Sequence, residues 1–412
     1  MSSPTGRLPA AQQGLVDLSA IRDAARRLEG VVQVTPVEPS RAVSRLAGRR
    51  TLLKCEHLQR TGSFKLRGAY NRIAQLSADE RARGVACASA GNHAQGVALS
   101  AQLLGVHATV FMPAAASLPK VEATRSYGAE VVLEGDTYDD AFEASQRWTA
   151  ERGAVFVHPF DHRDVIAGQG TLGLELLAQV PTVGTVVVPI GGGGLISGVA
   201  SALKLSRPSV RVVGVQAAGA ATVSGSLAAG RPVRLAQLET IADGIAVKTP
   251  GVLTLAHIAK YVDEIVTVSD EAIARAVLLL VERAKQVVEP AGAASLAAVL
   301  EGQATLVEPV VPLLCGGNVD PLLLHRILSS GLFEEGRYFA FRTRLTDKPG
   351  ALSRLLGLLA AEGANVVAVD HQRLGTKLGV LEVEVQMELE TRGRAHSAAV
   401  VAALEAAGFP VS

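Results

Sequence analysis

Lys65 is the side chain with the clearest potential for covalent chemistry. It lies between Phe64 and Leu66, after a short turn at 61–63 and before a run of good helix formers. A lysine attacks a carbonyl carbon only as the neutral amine, and burial among apolar neighbours lowers its pKa toward that state. A solvated lysine at a helix start is about as common. The assignment therefore depends on three polar or glycine-rich segments further along the chain.

Four consecutive glycines, Gly191, Gly192, Gly193 and Gly194, precede Leu195 and follow the predicted strand 186–190. Backbone N–H groups in such a run converge on an anion, and the N-terminus of the following helix adds a favourable dipole. The spacing lacks the third glycine of a dinucleotide fingerprint, and the lysine of a nucleotide-binding P-loop is missing. The run therefore predicts a phosphate site of another kind, and a purely structural glycine turn is the alternative.

Two further loops follow predicted strands. The first contains Ser89, Ala90, Gly91, Asn92 and His93. Its side chains and N–H groups suit a carboxylate, although simple helix capping by Ser89 or Asn92 remains an alternative. His93 fits a packed structural role as well as a catalytic one.

The second of these loops is 315–318, sequence CGGN. Its Cys315 would by default be a buried structural cysteine. A lysine, a phosphate cradle and polar loops together indicate pyridoxal 5'-phosphate, the cofactor that serves as an electron sink.

The elements that must position these loops alternate along the chain. Short Val/Ile/Leu strands at 85–88, 108–112, 131–133, 155–157, 186–190, 210–216 and 310–314 are separated by predicted helices. That order predicts an α/β protein with parallel sheets covered on both faces. Residues 329–337 resemble a linker, and 381–389 alternates apolar and polar residues as an antiparallel strand does. We predict a βαββαβ ferredoxin-like C-terminal domain at 338–412.

Composition excludes several classes of protein. The chain has 412 residues, a formal net charge of +1 and three widely spaced cysteines. This charge gives no electrostatic case for nucleic acid or an anionic membrane, and we expect neither as a partner. The cysteines indicate a reducing compartment, so we expect a cytoplasmic protein with a loose arm at 1–17.

Six separated motifs resemble those of the threonine/serine dehydratases, which are fold-type II pyridoxal-phosphate enzymes. They are SFKLRGA at 63–69, SAGNHAQG at 89–96, AGQGT at 167–171, GGGGL at 191–195, ETIADG at 239–244 and CGGN at 315–318. The resemblance covers about 18–330, and implies two parallel-sheet subdomains, the smaller at about 60–160. The tail, with DKPGAL at 347–352, resembles one ACT regulatory domain.

The resemblance implies a role for each site residue. Lys65 would hold the cofactor aldehyde and later remove the Cα proton, and Phe64 would pack near the ring. Asn92 would bond the ring hydroxyl, and Cys315 would face the pyridine nitrogen. The N–H groups of 191–195 would hold the phosphate. The substrate carboxylate would lie against Ser89, Ala90, Gly91, Asn92 and His93.

The implied reaction is β-elimination of L-threonine to 2-oxobutanoate and ammonia, with L-serine giving pyruvate as a side reaction. A serine dehydratase is one alternative. Serine racemase is another, but such relatives have a serine where this chain has Ala90, and metal-binding acids where it has Gln216 and Thr222. We therefore predict no metal site. A non-catalytic amino-acid sensor is a third possibility, and the intact Lys65 argues against it.

The tail is expected to sense an amino-acid effector and to pair with its copy in a homodimer or homotetramer. The predicted effector contacts are Asp347, Pro349, Gly350, Ala351 and Leu352, with the strand around 366–369. A purely oligomerising domain is the alternative. Whether such an enzyme serves isoleucine biosynthesis or threonine breakdown stays open.

Overall fold

The computed structural model describes residues 14–373 and 378–412, and the chain divides into two compact units, Met1–Val319 and Asp320–Ser412. Most of the predicted arm at 1–17 lies outside the described residues. Val16, however, is buried, and its N–H donates a hydrogen bond of 3.0 Å to Nε2 of His257. The packed chain therefore begins before residue 18, earlier than predicted.

The first unit contains two four-stranded parallel sheets and a small hairpin. The strands are β1 (Val37–Pro39), β2 (Leu52–Lys54), β3 (Val85–Ala88), β4 (Ala108–Met112), β5 (Glu130–Leu133), β6 (Val155–Phe156), β7 (Thr185–Pro189), β8 (Arg211–Ala217), β9 (Glu264–Val268) and β10 (Val310–Pro312). The smaller subdomain has the strand order β5-β4-β3-β6, and the larger has β10-β7-β8-β9. β1 and β2 pair antiparallel. The predicted α/β architecture with two parallel sheets is confirmed.

Helices cover these sheets. They are α1 (Leu18–Leu28), α2 (Arg41–Ala47), α3 (Lys65–Ile73), α4 (Ala78–Arg83), α5 (Asn92–Leu104), α6 (Leu118–Ser126), α7 (Tyr138–Arg152), α8 (Arg163–Gln179), α9 (Gly194–Ser206), α10 (Val223–Ala229), α11 (Val252–Tyr261), α12 (Asp270–Leu279) and α13 (Pro290–Glu301). The fully buried β3, β4 and β7 are nearly continuous apolar runs, as is typical of parallel sheets.

Glycines let α3 approach its neighbours closely. A Cβ at Gly96 of α5 would lie 3.0 Å from the Lys65 carbonyl carbon, and one at Gly168 of α8 would lie 2.4 Å from the Arg67 carbonyl oxygen. Side chains at these positions would force the helices apart. Three of the sequence motifs thus meet around α3, which fixes the backbone of Lys65.

A buried ion cluster anchors the same helix. The cluster consists of Lys54, Glu56, Arg67 and Glu175, two cations and two carboxylates. Arg67 Nε lies 2.6 Å from Glu56 Oε1 and Nη2 lies 2.8 Å from Glu175 Oε2, while Lys54 pairs with Glu175. Each charge is compensated within the cluster, as burial requires. It ties α3 to β2 and α8.

The second unit contains α14 (Pro321–Glu334), β11 (Tyr338–Thr346), α15 (Ala351–Ala361), β12 (Asn365–Gln372), β13 (Glu382–Glu390) and α16 (Arg394–Ala406). Its antiparallel sheet has the order β11-β13-β12. The buried face of β13 consists of Val383, Val385, Met387 and Leu389, as the alternating pattern predicts.

Two details of this unit differ from the prediction. The expected linker at 329–337 is helical as far as Glu334, because α14 continues into it. The expected final strand is reduced to a backbone pairing of Arg342 with Ser412, at 2.9 and 3.0 Å. None of the helices within residues 14–373 and 378–412 is long and apolar enough to cross a membrane.

Candidate active site

The Lys65 amine lies at the start of α3. It donates a hydrogen bond of 3.0 Å to the Pro159 carbonyl oxygen and lies 5.2 Å from the centre of the Phe64 ring. Burial lowers its pKa to about 8, while the thiol of Cys315 and the carboxyl of Glu289 act in the opposite direction. At pH 7 about one amine in ten is then uncharged, against roughly one in three thousand for an ordinary lysine.

The glycine run forms the turn between β7 and α9. Gly193 has φ of +96°, and it precedes α9 without a side-chain hydrogen-bond cap. Thr254 Oγ1 donates to the Gly192 carbonyl oxygen at 2.7 Å, which orients that carbonyl toward α11. The first N–H groups of a helix lack partners within the helix and attract anions. The turn therefore fits a phosphate group.

A segment that the sequence analysis did not single out joins the lysine to this turn. Pro159 accepts the Lys65 hydrogen bond, and a Cβ at Gly192 would lie 2.3 Å from the Phe160 ring. Asp161 Oδ1 accepts from the N–H groups of Leu253 and Thr254 at 2.9 and 3.1 Å, which caps α11. The sequence around Asp161 does not indicate this role, because its hydrogen-bond partners lie about 90 residues further along the chain.

The loop at 89–93 lies between β3 and α5, as predicted. The Gly91 N–H donates to Ser89 Oγ at 3.2 Å, and Gly91 precedes the helix without a side-chain cap. Asn92 Nδ2 donates to Glu289 Oε1 at 2.7 Å. Asn92 thus faces the site, and the helix start remains available to a carboxylate.

The His93 ring faces the Val157 carbonyl oxygen. It is buried, and its Nε2 lies 2.8 Å from the Val157 carbonyl oxygen. Burial, followed by repulsion from Lys65, lowers its pKa to about 3. The ring is therefore neutral near pH 7 and packs in the small subdomain. Only its backbone N–H belongs to the loop that was predicted to bind substrate.

Glu289 is a site residue that sequence reasoning missed. It is buried, and burial together with repulsion from Asp243 raises the pKa of its carboxyl to about 7, against the opposing bond from Asn92. A Cβ at Gly316 would lie 2.0 Å from its Oε1, so the CGGN loop needs glycine there. The Glu-Pro pair before α13 was the available signal, but it is also typical of an ordinary helix start.

Cys315 is buried, and its thiol interacts electrostatically with Glu289 and Lys65. The thiol is buried, and burial is the largest cause of a raised pKa, so it stays protonated. The buried hydroxyls of Thr61 and Ser63, close to the lysine in sequence, have no partner within the described residues. Polar atoms left unpaired in this way fit a polar ligand that the chain itself does not supply.

A separate cavity of about 440 Å³ is lined by residues that include Arg27, Asn71, Asp161 and Arg163. None of the predicted site residues lines it. Within residues 14–373 and 378–412 there is no group of three or more His, Cys, Asp or Glu side chains arranged to hold a metal ion. Gln216 Nε2 donates to Thr222 Oγ1 at 3.3 Å.

A partly buried lysine and a glycine phosphate turn, carried by two parallel-sheet subdomains, define an enzyme site built for an aldehyde cofactor with a phosphate. Residues 28–316 match the family model for pyridoxal-phosphate dependent enzymes, and the chain belongs to this family. The partly buried Lys65 amine, the uncapped glycine turn and the unpaired hydroxyls of Thr61 and Ser63 fit that cofactor.

Two named relatives match this sequence along nearly its whole length. The chain is 48% identical over 397 residues to the L-threonine ammonia-lyase of Thermotoga maritima, covering 96% of this chain and 99% of that protein. It is 46% identical to the L-threonine ammonia-lyase of Geobacter sulfurreducens, with 96% and 99% covered.

Solved structures give the same fold for most of the chain. A tomato (Solanum lycopersicum) threonine deaminase, the processed form of isoform 2, superposes with a TM-score of 0.72 at 37% identity, covering 75% of this chain and 86% of that one. Maize serine racemase gives a TM-score of 0.72 at 38% identity, with 78% and 99% covered.

Replacing Gly193 by alanine should weaken cofactor binding. Its φ of +96° suits glycine, and a Cβ there would lie 2.9 Å from the Thr254 Cβ. Strain of about 1–3 kcal/mol should raise the dissociation constant of pyridoxal phosphate by about 5- to 150-fold, measured by absorbance titration of the apoprotein. Gly225→Ala is the matched control, because no atom lies within 4 Å of a Cβ there. Equal affinities for the two variants would contradict the assignment of the phosphate turn.

Proposed function

We propose that this chain is a threonine ammonia-lyase, which converts L-threonine to 2-oxobutanoate and ammonia, with L-serine to pyruvate as a side activity. The observation that carries the proposal is the partly buried Lys65 amine, with its pKa lowered to about 8. The names of two relatives that are 48% and 46% identical to this chain support the choice of threonine. Water leaves the substrate in the elimination and is taken up again in the hydrolysis that releases ammonia.

The chain's own residues supply the proton acceptor and the orientation. Bound pyridoxal phosphate provides the electron sink that acidifies the substrate Cα–H bond. The Lys65 amine accepts that proton in its neutral form, and the Pro159 carbonyl at 3.0 Å holds it in place. The backbone at 89–93 would hold the substrate carboxylate, Asn92 the ring hydroxyl, and 191–195 the phosphate.

Cys315 would determine which reaction is favoured. As a buried, protonated thiol it is a weak partner for a pyridine nitrogen and does not transfer a full proton to it. A less charged ring is a weaker electron sink, which favours prompt loss of the β-hydroxyl over racemisation.

Serine racemase is the competing activity, since two of the solved relatives carry that name. A racemase needs a second base on the other face of the substrate, and the methyl group of Ala90 cannot carry a proton. Gln216 and Thr222, which would correspond to the racemase acids, are both uncharged and form a hydrogen bond with each other.

Steady-state assays with L-threonine and L-serine, with and without EDTA, test this proposal. The expected products are 2-oxobutanoate and pyruvate, with threonine preferred by a factor that one methyl group limits to about 10–200-fold. Rapid formation of D-serine from L-serine would refute β-elimination as the main reaction, and a requirement for a divalent metal would refute its metal independence.

We also propose that the second unit is an ACT-like regulatory domain that pairs with its copy and binds an amino acid. The exposed turn at Asp347, Pro349 and Gly350, followed by Ala351 and Leu352 of α15, supports an effector contact there. Val367 and Val369 on β12 are 54% and 41% exposed. Apolar side chains on an unpaired sheet edge favour a second copy as partner.

Deleting Tyr338–Ser412 should abolish any response to isoleucine or valine and lower the oligomeric state. Threonine turnover with and without these amino acids, together with light scattering, measures both effects. Absorbance of the bound cofactor serves as the control that the truncated chain still folds. An oligomer that persists, or a response to effector that survives, would contradict the proposal. If the full-length chain assembles but responds to no amino acid, the second unit serves only to oligomerise the protein.

A further inference from the structure

The loop CGGN at 315–318 contains one residue that the assigned roles do not use. Asn318 Nδ2 donates to two acceptors, the Thr61 carbonyl oxygen at 2.8 Å and Asn92 Oδ1 at 2.7 Å. Asn92 Nδ2 in turn donates to Glu289 Oε1 at 2.7 Å. These four groups form a hydrogen-bond relay, Thr61–Asn318–Asn92–Glu289.

The direction of this relay is fixed from one end. A backbone carbonyl can only accept, so the Asn318 amide must turn its nitrogen toward Thr61. The same nitrogen then faces Asn92, which must present its oxygen. The nitrogen of Asn92 is left pointing the other way, toward the Glu289 carboxyl. An asparagine side chain that could otherwise adopt two flipped orientations is therefore held in one.

Two glycines make room for the relay. Gly62 has φ of +70° and a Cβ there would lie 2.4 Å from Asn318 Oδ1. At Gly316 a Cβ would lie 2.0 Å from Glu289 Oε1 and 3.0 Å from Asn92 Nδ2. These glycines thus admit the two side chains that flank Asn92.

We propose that Asn318 is a positioning residue, which sets the orientation of the Asn92 amide. The Asn92 nitrogen carries two hydrogens. Glu289 accepts one of them, which leaves the second for the ring hydroxyl of the cofactor. The inference rests on the role given to Asn92 under the proposed function. Asn318 touches neither substrate nor cofactor in this role and acts through its neighbour.

Two substitutions distinguish a role of Asn318 in orienting the Asn92 amide from a role in filling space. Asn318→Ala removes the donor and lets Asn92 flip. Asn318→Asp keeps the shape, but a carboxylate can only accept, so it repels the Thr61 carbonyl and attracts the Asn92 nitrogen away from Glu289. Positioning therefore predicts that aspartate is worse than alanine, whereas a packing role predicts that aspartate is tolerated better.

The measurement is the dissociation constant of pyridoxal phosphate for the full-length apoprotein. We expect an increase of about fivefold for Asn318→Ala and of roughly tenfold or more for Asn318→Asp, since the hydrogen bond that orients Asn92 is lost in the first and a repulsion is added in the second. Asn365→Asp, in the second unit, is the matched control and should leave the affinity unchanged. Urea unfolding of each apoprotein verifies that the fold is kept, which the exposed position of Asn318 favours.

A double-mutant cycle with Asn92→Ala distinguishes the possible failures. If Asn318 acts through Asn92, then adding Asn318→Ala to Asn92→Ala should change the affinity by no more than about twofold. An undiminished effect in that background, or an Asn318→Asp protein that binds as the wild type does, overturns the inference alone. An Asn92→Ala protein with unchanged affinity refutes the cofactor role of Asn92, and the inference with it.

Discussion

The Lys65→Ala protein should lose threonine turnover by about 10⁴-fold or more, because it lacks both the covalent anchor and the base. It should also lose the visible absorbance that cofactor-bound protein shows. Formation of 2-oxo acid from L-threonine and the absorption spectrum measure the two effects. Borohydride treatment followed by peptide mass mapping should locate the reduced adduct on Lys65 in the wild type.

Lys260→Ala is the matched control for this experiment. Lys260 is an exposed lysine on α11, and its removal should leave turnover and absorbance unchanged. An adduct found on another lysine, or a Lys65→Ala protein that keeps most of its turnover, would remove the basis of the proposed mechanism.

The rate at which wild-type apoprotein takes up pyridoxal phosphate should rise with pH and level off above about 8. Only the neutral amine attacks the aldehyde, and burial lowers the pKa of Lys65 to about 8. Below that pH the protonated form predominates, so the rate falls about tenfold per pH unit. Stopped-flow absorbance at several pH values measures this dependence. A rate that continues to rise to about pH 10, near the ordinary lysine pKa, would indicate a solvated lysine.

Replacing Arg67 by methionine should lower the free energy of unfolding of the apoprotein by about 3–5 kcal/mol. The Arg67 side chain is 1% exposed and the Glu56 side chain 0%. Removing the guanidinium leaves two carboxylates of the buried ion cluster against the single charge of Lys54, and water cannot solvate the excess. Urea denaturation followed by circular dichroism measures the loss.

Arg147→Met provides the comparison. Arg147 and Glu134 lie 3.6 Å apart, with side chains 61% and 52% exposed, and such a pair contributes about 0–1 kcal/mol. Adding Glu56→Gln to Arg67→Met should restore part of the lost stability, because it removes one uncompensated charge. If Arg67→Met proved as mild as Arg147→Met, the cluster would not anchor α3.

The elements that the sequence predicted well are those with a strong local period. Strands 85–88 and 108–112 are found at their predicted bounds, since a strand buried on both faces is a nearly continuous apolar run. The alternation at 381–389 likewise corresponds to β13. The start of helix α8 at Arg163 has a weak local signal, because the helix contains glycines. Only close packing against α3 and α9 explains them.

The site residues were predicted from residue types and from their order along the chain, but their hydrogen-bond partners were not predicted. Lys65, the glycine turn and Asn92 each carry a local signature. Glu289 and Asp161 do not, because their importance comes from neighbours about 200 and 90 residues away along the chain. The role of His93 was open in the sequence, and burial against Val157 determined the direction of its ring.

The sequence by itself determined the family, the cofactor and the α/β architecture, because glycines, the lysine and apolar strands follow local rules of backbone geometry and burial. Only the tertiary structure decided the electrostatics of the site. The Glu289 carboxyl accepts a hydrogen bond from Asn92, and the Pro159 carbonyl accepts one from the Lys65 amine. The buried ion cluster anchors α3. Charges and hydrogen bonds take their value from distance and burial, and these are set when distant segments pack together.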